Sequence, residues 1–266
     1  GLGDVYKRQP TVIFFSSLMS VLYHAGIMQK IIKVLTKIMQ KTMGTSGAET
    51  ASISANIFVG QTESPLVIKP FISKMTKSEL TAIMTGGFAT VAGGVMAAYV
   101  LMLNNIPGIA GHLMAASIMS APAALVIAKI IYPETETPET SKNNIKLAQV
   151  SEEGNFLEAL GNGASEGMKL ALNIAAMLVA FLSVIALLNW LLSLIPFGST
   201  VLTIELILGY LFMPLAFLMG APWSEAHILG SLMGQKLVLT EFIAYQNFAN
   251  FSNVISVKTA TIAAYA

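Results

Sequence analysis

The 266-residue sequence has no cysteine. That absence excludes a disulfide framework, a thiolate metal site and a cysteine nucleophile. Charge is scarce as well. Asp, Glu, Lys and Arg together make up 11% of the residues, where an ordinary soluble domain carries about 25%. A globular protein of this length could bury a core, but its surface would need far more charge. What charge there is nearly cancels, to +1 overall, so the chain lacks the strongly basic balance that a nucleic-acid partner requires. Histidine is limited to His24, His112 and His227, widely separated and without an H-E-x-x-H pair, which leaves no catalytic metal motif. The two tryptophans, Trp190 and Trp223, read as markers of a membrane interface.

Apolar residues fill the space that charge leaves. They make up 55% of the chain, and the mean hydropathy is +0.70. Five long apolar stretches stand out: Pro10–Met28, Leu80–Leu103, Gly108–Tyr132, Met168–Ile195 and Val201–Gly220. A helix rises 1.5 Å per residue, so about 20 such residues cross a hydrocarbon core. The fold expected is therefore an all-α integral membrane protein with the lipid bilayer as its solvent. Val201–Gly220 contains Glu205 and Pro214 and can instead lie along the interface. Lys30, Lys33, Lys37 and Lys41 recur every three or four residues, giving an amphipathic helix that continues the first span or rests on the membrane surface.

Composition also marks the boundaries. Residues 1–9, GLGDVYKRQ, are polar, do not lead into the apolar run and read as foreign to the fold. A scaffold helix with its amphipathic extension follows over 10–43, and a first repeat over 44–132. A polar connector, 133–166, contains the acidic string "PETETPET". Residues 167–220 read as a transmembrane and an interfacial helix, and 221–266 as a second hairpin beginning a further repeat. The last residues, "KTATIAAYA", stop inside an apolar segment, so a partial chain is expected.

The two halves share a pattern. "MGTSGAETASISANIFVGQTESP" places Glu49 five residues after Gly44, then Gly60 and Glu63; "MGAPWSEAHILGSLMGQKLVLTEF" places Glu225 five residues after Gly220, then Gly234 and Glu241. Such internal repeats are common in transporters, whose sites are built from interrupted helices. Thr50–Ser73 has too few apolar residues around "GQTESP" for two full spans, and so reads as two half-length helices forming a re-entrant hairpin. Gly60 permits the turn, and Pro65 suits the first turn of a new helix. A charge at the bilayer centre costs at least about 2.5–3.5 kcal/mol, so Glu63 should face a polar cavity; the alternative is an ordinary aqueous loop. In "GGFATVAGGVMAAY" the glycine pairs either pack against a neighbouring helix or let the chain unwind at Thr90–Val91, freeing oxygen ligands suited to an alkali cation.

The strings "GTSGAETASISANIFVGQTESPLVIKPFISKMTKSEL", "GGFATVAGGV", "PETE", "GASEGMKLALN" and "PLAFLMGAPWSEA" through "TEFIAYQNF" resemble the concentrative nucleoside transporter family, in its bacterial, sodium-coupled type, from about Pro10 to Ala266. The resemblance implies an inverted-repeat fold with two re-entrant helical hairpins and a partly unwound transmembrane helix, in a homotrimer of the inner cell membrane that imports nucleosides with sodium. It implies that Gln61, Thr62 and Glu63 meet the nucleobase, that Val95 and Met168 flank it, and that Glu241 accepts hydrogen bonds from the ribose. It places sodium among the Asn56 side chain, the Val59 and Val91 carbonyls and the Thr90 hydroxyl. A "CGFAN"-type string that completes the ribose site in that family does not occur here. Proton coupling through Glu63 or Glu241 stays open beside sodium. A channel or a non-transporting membrane assembly module is the alternative to a transporter. An enzyme is disfavoured, since "GASEG", formally a G-x-S-x-G elbow, has no strand pattern before it.

Overall fold

The computed structural model describes residues 2–61, 64–91, 93–140, 154–195, 201–252 and 254–266. Every regular element among them is helical. The chain divides into two compact units, one formed by residues 1–98 and 114–169, the other by 99–113 and 170–266.

In the first unit, α1 (Leu2–His24) meets α2 (Ile27–Met43) at a 77° bend. The corner is Gly26, whose φ of 71° is open to glycine at little cost. Next come α3 (Gly47–Asn56) and a 3-10 segment, Ser64–Lys74. The restart after "GQTESP" is thus tighter than an α-helix. Pro65 and Pro70 lie within it and have no N–H for an α-type ladder. α4 (Lys77–Ala89) ends where Thr90 is extended (φ −119°, ψ 148°), and α5 (Gly93–Met102) begins beyond the break. The apolar stretch Leu80–Leu103 is therefore two helices.

α6 (Ile109–Ile131) supplies small and branched residues to the core. Ala121, Leu125 and Ala128 pack with Met39 of α2, Ile53 and Ile57 of α3, and Ala82 of α4. α7 (Phe156–Ser193) is 38 residues long, about 57 Å at 1.5 Å per residue, and so outruns a hydrocarbon core of about 30 Å. Its first part explains "GASEG". A Cβ on Gly163 would lie 2.7 Å from the Ser17 Cα, and one on Gly167 2.7 Å from the Ile13 Cα. The motif is a G-x-x-x-G contact that lets α7 press against α1, and the Ser17 hydroxyl donates to the Leu160 carbonyl at 2.6 Å.

The second unit repeats this device. α8 (Ile204–Leu218) and α9 (Trp223–Val238) are bent by 117°. They pack closely because Gly230 and Gly234 face Gly209 and Leu208. α10 (Glu241–Phe251) and α11 (Val257–Tyr265) follow. Among the described residues, two helices, α6 and α7, are long and apolar enough to cross a membrane, and up to four spans result if each bent pair counts as one.

The polar string after α6 does more than connect. The Thr140 carbonyl accepts from the Gly47 amide at 3.2 Å, and its hydroxyl accepts from the Ala48 amide at 3.0 Å. Both amides belong to the first turn of α3, where helix geometry leaves donors unpaired. Lys74 pairs with Glu139 at 2.9 Å, and the Thr76 hydroxyl donates to Glu134 at 2.7 Å.

Candidate functional site

Two helix starts anchor the first unit. Ser46 and Glu49 form a capping box on α3, and Thr76 and Glu79 form one on α4, each satisfying two amides reciprocally. The boxes are joined by a hydrogen bond from the Ser46 hydroxyl to Glu79. Glu49 and Glu79 are each 1% exposed, and Lys129 of α6 reaches Glu49 Oε2 at 2.7 Å and Glu134 Oε2 at 3.7 Å. The ammonium also donates to the Ser78 hydroxyl at 2.9 Å. Sequence reasoning missed Lys129; its signal was a lone lysine near the end of an apolar helix.

From those anchored starts, α3 and α4 deliver their far ends to one place. Asn56, the last residue of α3, is 2% exposed. Its Nδ2 donates to the Gly86 carbonyl at 2.9 Å and to the Thr90 hydroxyl. That hydroxyl donates in turn to the Gly86 carbonyl at 3.1 Å. At the next residue, Val91, the carbonyl accepts from the buried Ser117 hydroxyl of α6 at 3.4 Å. Asn56, Thr90 and Val91 therefore gather at the break between α4 and α5. Val59 lies three residues beyond Asn56, with its amide donating to Ala55 at 3.0 Å. The Gly86 carbonyl as a partner of Asn56, and Ser117, were absent from the sequence expectation. A buried serine on the apolar α6 was the available clue, whereas a backbone carbonyl leaves none.

Glycine permits this gathering. A Cβ on Gly93 would collide with the backbone carbonyl of Phe58, while one on Gly87 would sit 3.4 Å from the Gln61 Cβ. Gly93→Ala is therefore expected to destabilise by about 1–3 kcal/mol, since a backbone carbonyl cannot rotate away. Gly87→Ala should be near neutral, or gain from better helix propensity. Thermal unfolding of the two variants in detergent checks the contrast; equal midpoints would contradict it.

Of the expected base contacts, Gln61 is exposed in the turn after α3 and Val95 is half-buried on α5. Met168 is 46% exposed on α7. Thr62 and Glu63 lie outside the described residues.

In the second unit, Glu241 opens α10, behind Thr240, whose hydroxyl accepts from the Ile243 amide at 3.3 Å. Its carboxylate lies 3.6 Å from the Lys236 ammonium, a partner the sequence reading did not foresee. Beside it on α9, Gln235 is 1% exposed, donates to the Ser231 hydroxyl at 2.9 Å and accepts from Asn247. Tyr99 stacks on Tyr245 with centroids 4.1 Å apart. Glu225, third residue of α9 as Glu49 is of α3, accepts from the Ser256 amide and hydroxyl at the start of α11, at 3.1 and 2.8 Å. Glu49 and Glu225, one of the pairs in the repeat pattern, thus occupy equivalent places at helix starts.

Comparison with known proteins decides the family. The family model described as "Na+ dependent nucleoside transporter C-terminus" matches residues 112–266, and one described as "Nucleoside recognition" matches residues 6–106. The chain belongs to the sodium-dependent nucleoside transporter family. It is 49% identical over 259 residues to the uncharacterized transporter YutK of Bacillus subtilis, covering 97% of this chain and 63% of that protein. It is 44% identical to sodium/nucleoside cotransporter 1 of Rattus norvegicus, over 93% of this chain and 38% of the relative. Among solved structures, CNTnw in an inward-facing substrate-bound state aligns with a TM-score of 0.86 at 46% identity, covering 96% of this chain and 61% of CNTnw. A CNTnw variant in an outward-facing state aligns at 0.89 and 43% identity, over 98% and 61%. The chain spans less than two thirds of the length of these relatives.

Proposed function

We propose that this member of the sodium-dependent nucleoside transporter family imports nucleosides across the cell (inner) membrane by sodium symport, as a homotrimer. The observation that carries this reading is the buried Asn56 side chain, held at the break between α4 and α5 by Gly86 and Thr90. Two interrupted helical elements meet there, the setting in which transporters place coupling ions. The donor set fits sodium: an amide, a hydroxyl and backbone carbonyls are hard, neutral oxygens with no proton to exchange near neutral pH. Asn56 Oδ1, Thr90 Oγ1 and the Val59 and Val91 carbonyls would hold the ion. When bound, it would supply fixed positive charge to the chain that continues through Gln61.

Gln61, Thr62 and Glu63 offer an amide, a hydroxyl and a carboxylate, which match a base edge bearing both donors and acceptors. Val95 and Met168 supply apolar flanks. Glu241 accepts from the ribose hydroxyls, a charge-assisted bond and so stronger than a neutral one. Residues 50–73 and 221–248 act as the two re-entrant hairpins of an inverted repeat.

Uptake of labelled nucleoside into proteoliposomes tests the reading. Uptake should saturate and should follow a sodium gradient at fixed pH. Asn56→Ala should raise the sodium concentration for half-maximal uptake by up to about tenfold, equivalent to roughly 1.5 kcal/mol. Undiminished uptake in sodium-free buffer at constant pH would favour proton coupling. Conductance without saturation would favour a channel.

A further inference from the structure

α2 carries three stripes. Its buried face is Met28, Ile32, Thr36 and Met39. Along one flank, Ile27, Ile31, Val34 and Ile38 are 44%, 39%, 58% and 54% exposed. Lys30, Lys33, Lys37 and Lys41 are also exposed and lie roughly a quarter turn further round, on the outward face. The helix has no acidic residue, and among the described residues none of the four lysines pairs with a carboxylate.

These stripes leave one consistent environment. A water-facing helix would not hold four large aliphatic side chains in solvent, and a helix sunk in hydrocarbon would not keep four unpaired ammonium groups. The headgroup boundary accommodates both, with aliphatics in the acyl edge and cations at phosphate level. The 77° bend between α1 and α2 turns α2 sharply out of the direction of α1, as a helix lying along the boundary requires.

We propose that the lysine face of α2 is a docking surface for anionic phospholipids, with Lys30, Lys33, Lys37 and Lys41 on the headgroups and Ile27, Ile31, Val34 and Ile38 in the acyl boundary. The occupant follows from charge: the stripe is four cations over about 17 Å of helix with no counter-charge, and anionic lipid is the negatively charged component of the cytoplasmic leaflet, the side that basic segments favour. The contact reaches the site through packing. Met39 of α2 lies against Ile53 and Ile57 around Asn56, and Met28 and Ile32 pack with Ala55 and Val67. Headgroup binding therefore steadies the helix on which α3 leans. The lipid contact itself does not depend on the transport reading.

The test compares retained lipid, by mass spectrometry, after the full chain is extracted from vesicles of phosphatidylcholine mixed with phosphatidylglycerol. The wild-type chain should retain phosphatidylglycerol preferentially, and each Lys→Gln change should lower that preference roughly fivefold. The variant with all four glutamines should lose it, while the same positions as arginine should keep it. The cysteine-free background gives a second measurement on single-site variants: a nitroxide at Val34→Cys should sit deeper, by collision with oxygen against a water-soluble nickel complex, than one at Lys37→Cys. Equal retention of both lipids by the wild-type chain would overturn the proposal. So would a preference that survives the glutamine changes, or a Val34 label as water-accessible as the Lys37 label.

Discussion

Replacing Lys129 by methionine is expected to destabilise the protein by about 3–5 kcal/mol. Methionine keeps most of the stem and removes the charge. Glu49 is 1% exposed, and its Oε2 lies 2.7 Å from the Lys129 ammonium. The lysine side chain is 23% exposed, so water reaches the cation more readily than the carboxylate. Without the ammonium, Glu49 is left as a buried charge beside a second buried carboxylate, Glu79. The loss is large because a solvation cost remains, rather than because the intact pair is worth that much. Adding Glu49→Gln to Lys129→Met should therefore recover much of the loss. Lys74 makes an ion pair of similar length with Glu139, but the side chains are 65% and 48% exposed. Lys74→Met should cost no more than about 1 kcal/mol. Thermal unfolding in detergent measures all three against the parent chain. A Lys129 effect as small as that of Lys74 would mean that the helix-start cluster is solvated.

Glu241→Gln is expected to weaken every nucleoside alike, by about 1.5–3 kcal/mol, the range for hydrogen bonds to a charged group. This rests on the proposed ribose contact, which all nucleosides share. Lys236, 3.6 Å away, complicates the reading, since the substitution also removes its counter-charge. Lys236→Met is the control: it should leave the carboxylate available to ribose and change affinity less than Glu241→Gln does. Gln61→Ala should instead reorder the preference among bases, if its amide addresses the base edge as proposed. Binding measured across several nucleosides separates the cases. A uniform loss from Gln61→Ala would contradict the division of labour.

Much of the architecture is legible without coordinates. A chain with 11% charged residues cannot clothe a soluble surface, so a bilayer follows, and apolar runs of about 20 residues satisfy their backbone there as helices. The glycines bracketing Thr90–Val91 allowed either packing or unwinding, and the structure has both. Gly86 and Gly93 press on Ile53 and Phe58, and the helix stops between Ala89 and Gly93. Pro65 signalled a restart after the turn, but together with Pro70 it yields a 3-10 segment rather than an α-helix.

Local chemistry thus determined the membrane class and marked where breaks were possible, because each depends on a few neighbouring residues. Which glycines actually break a helix was decided by the fold. Polar partnerships needed the tertiary structure. Asn56 bonds to Gly86 and Thr90, 30 and 34 residues away. Thr140 caps α3 from a string that reads as a solvated connector. Lys129 neutralises Glu49 from a different helix. No periodicity encodes such pairs, since a lysine on an apolar helix can serve many carboxylates. Only the packing of α3, α4 and α6 decides which one is near enough, and buried enough, to need it.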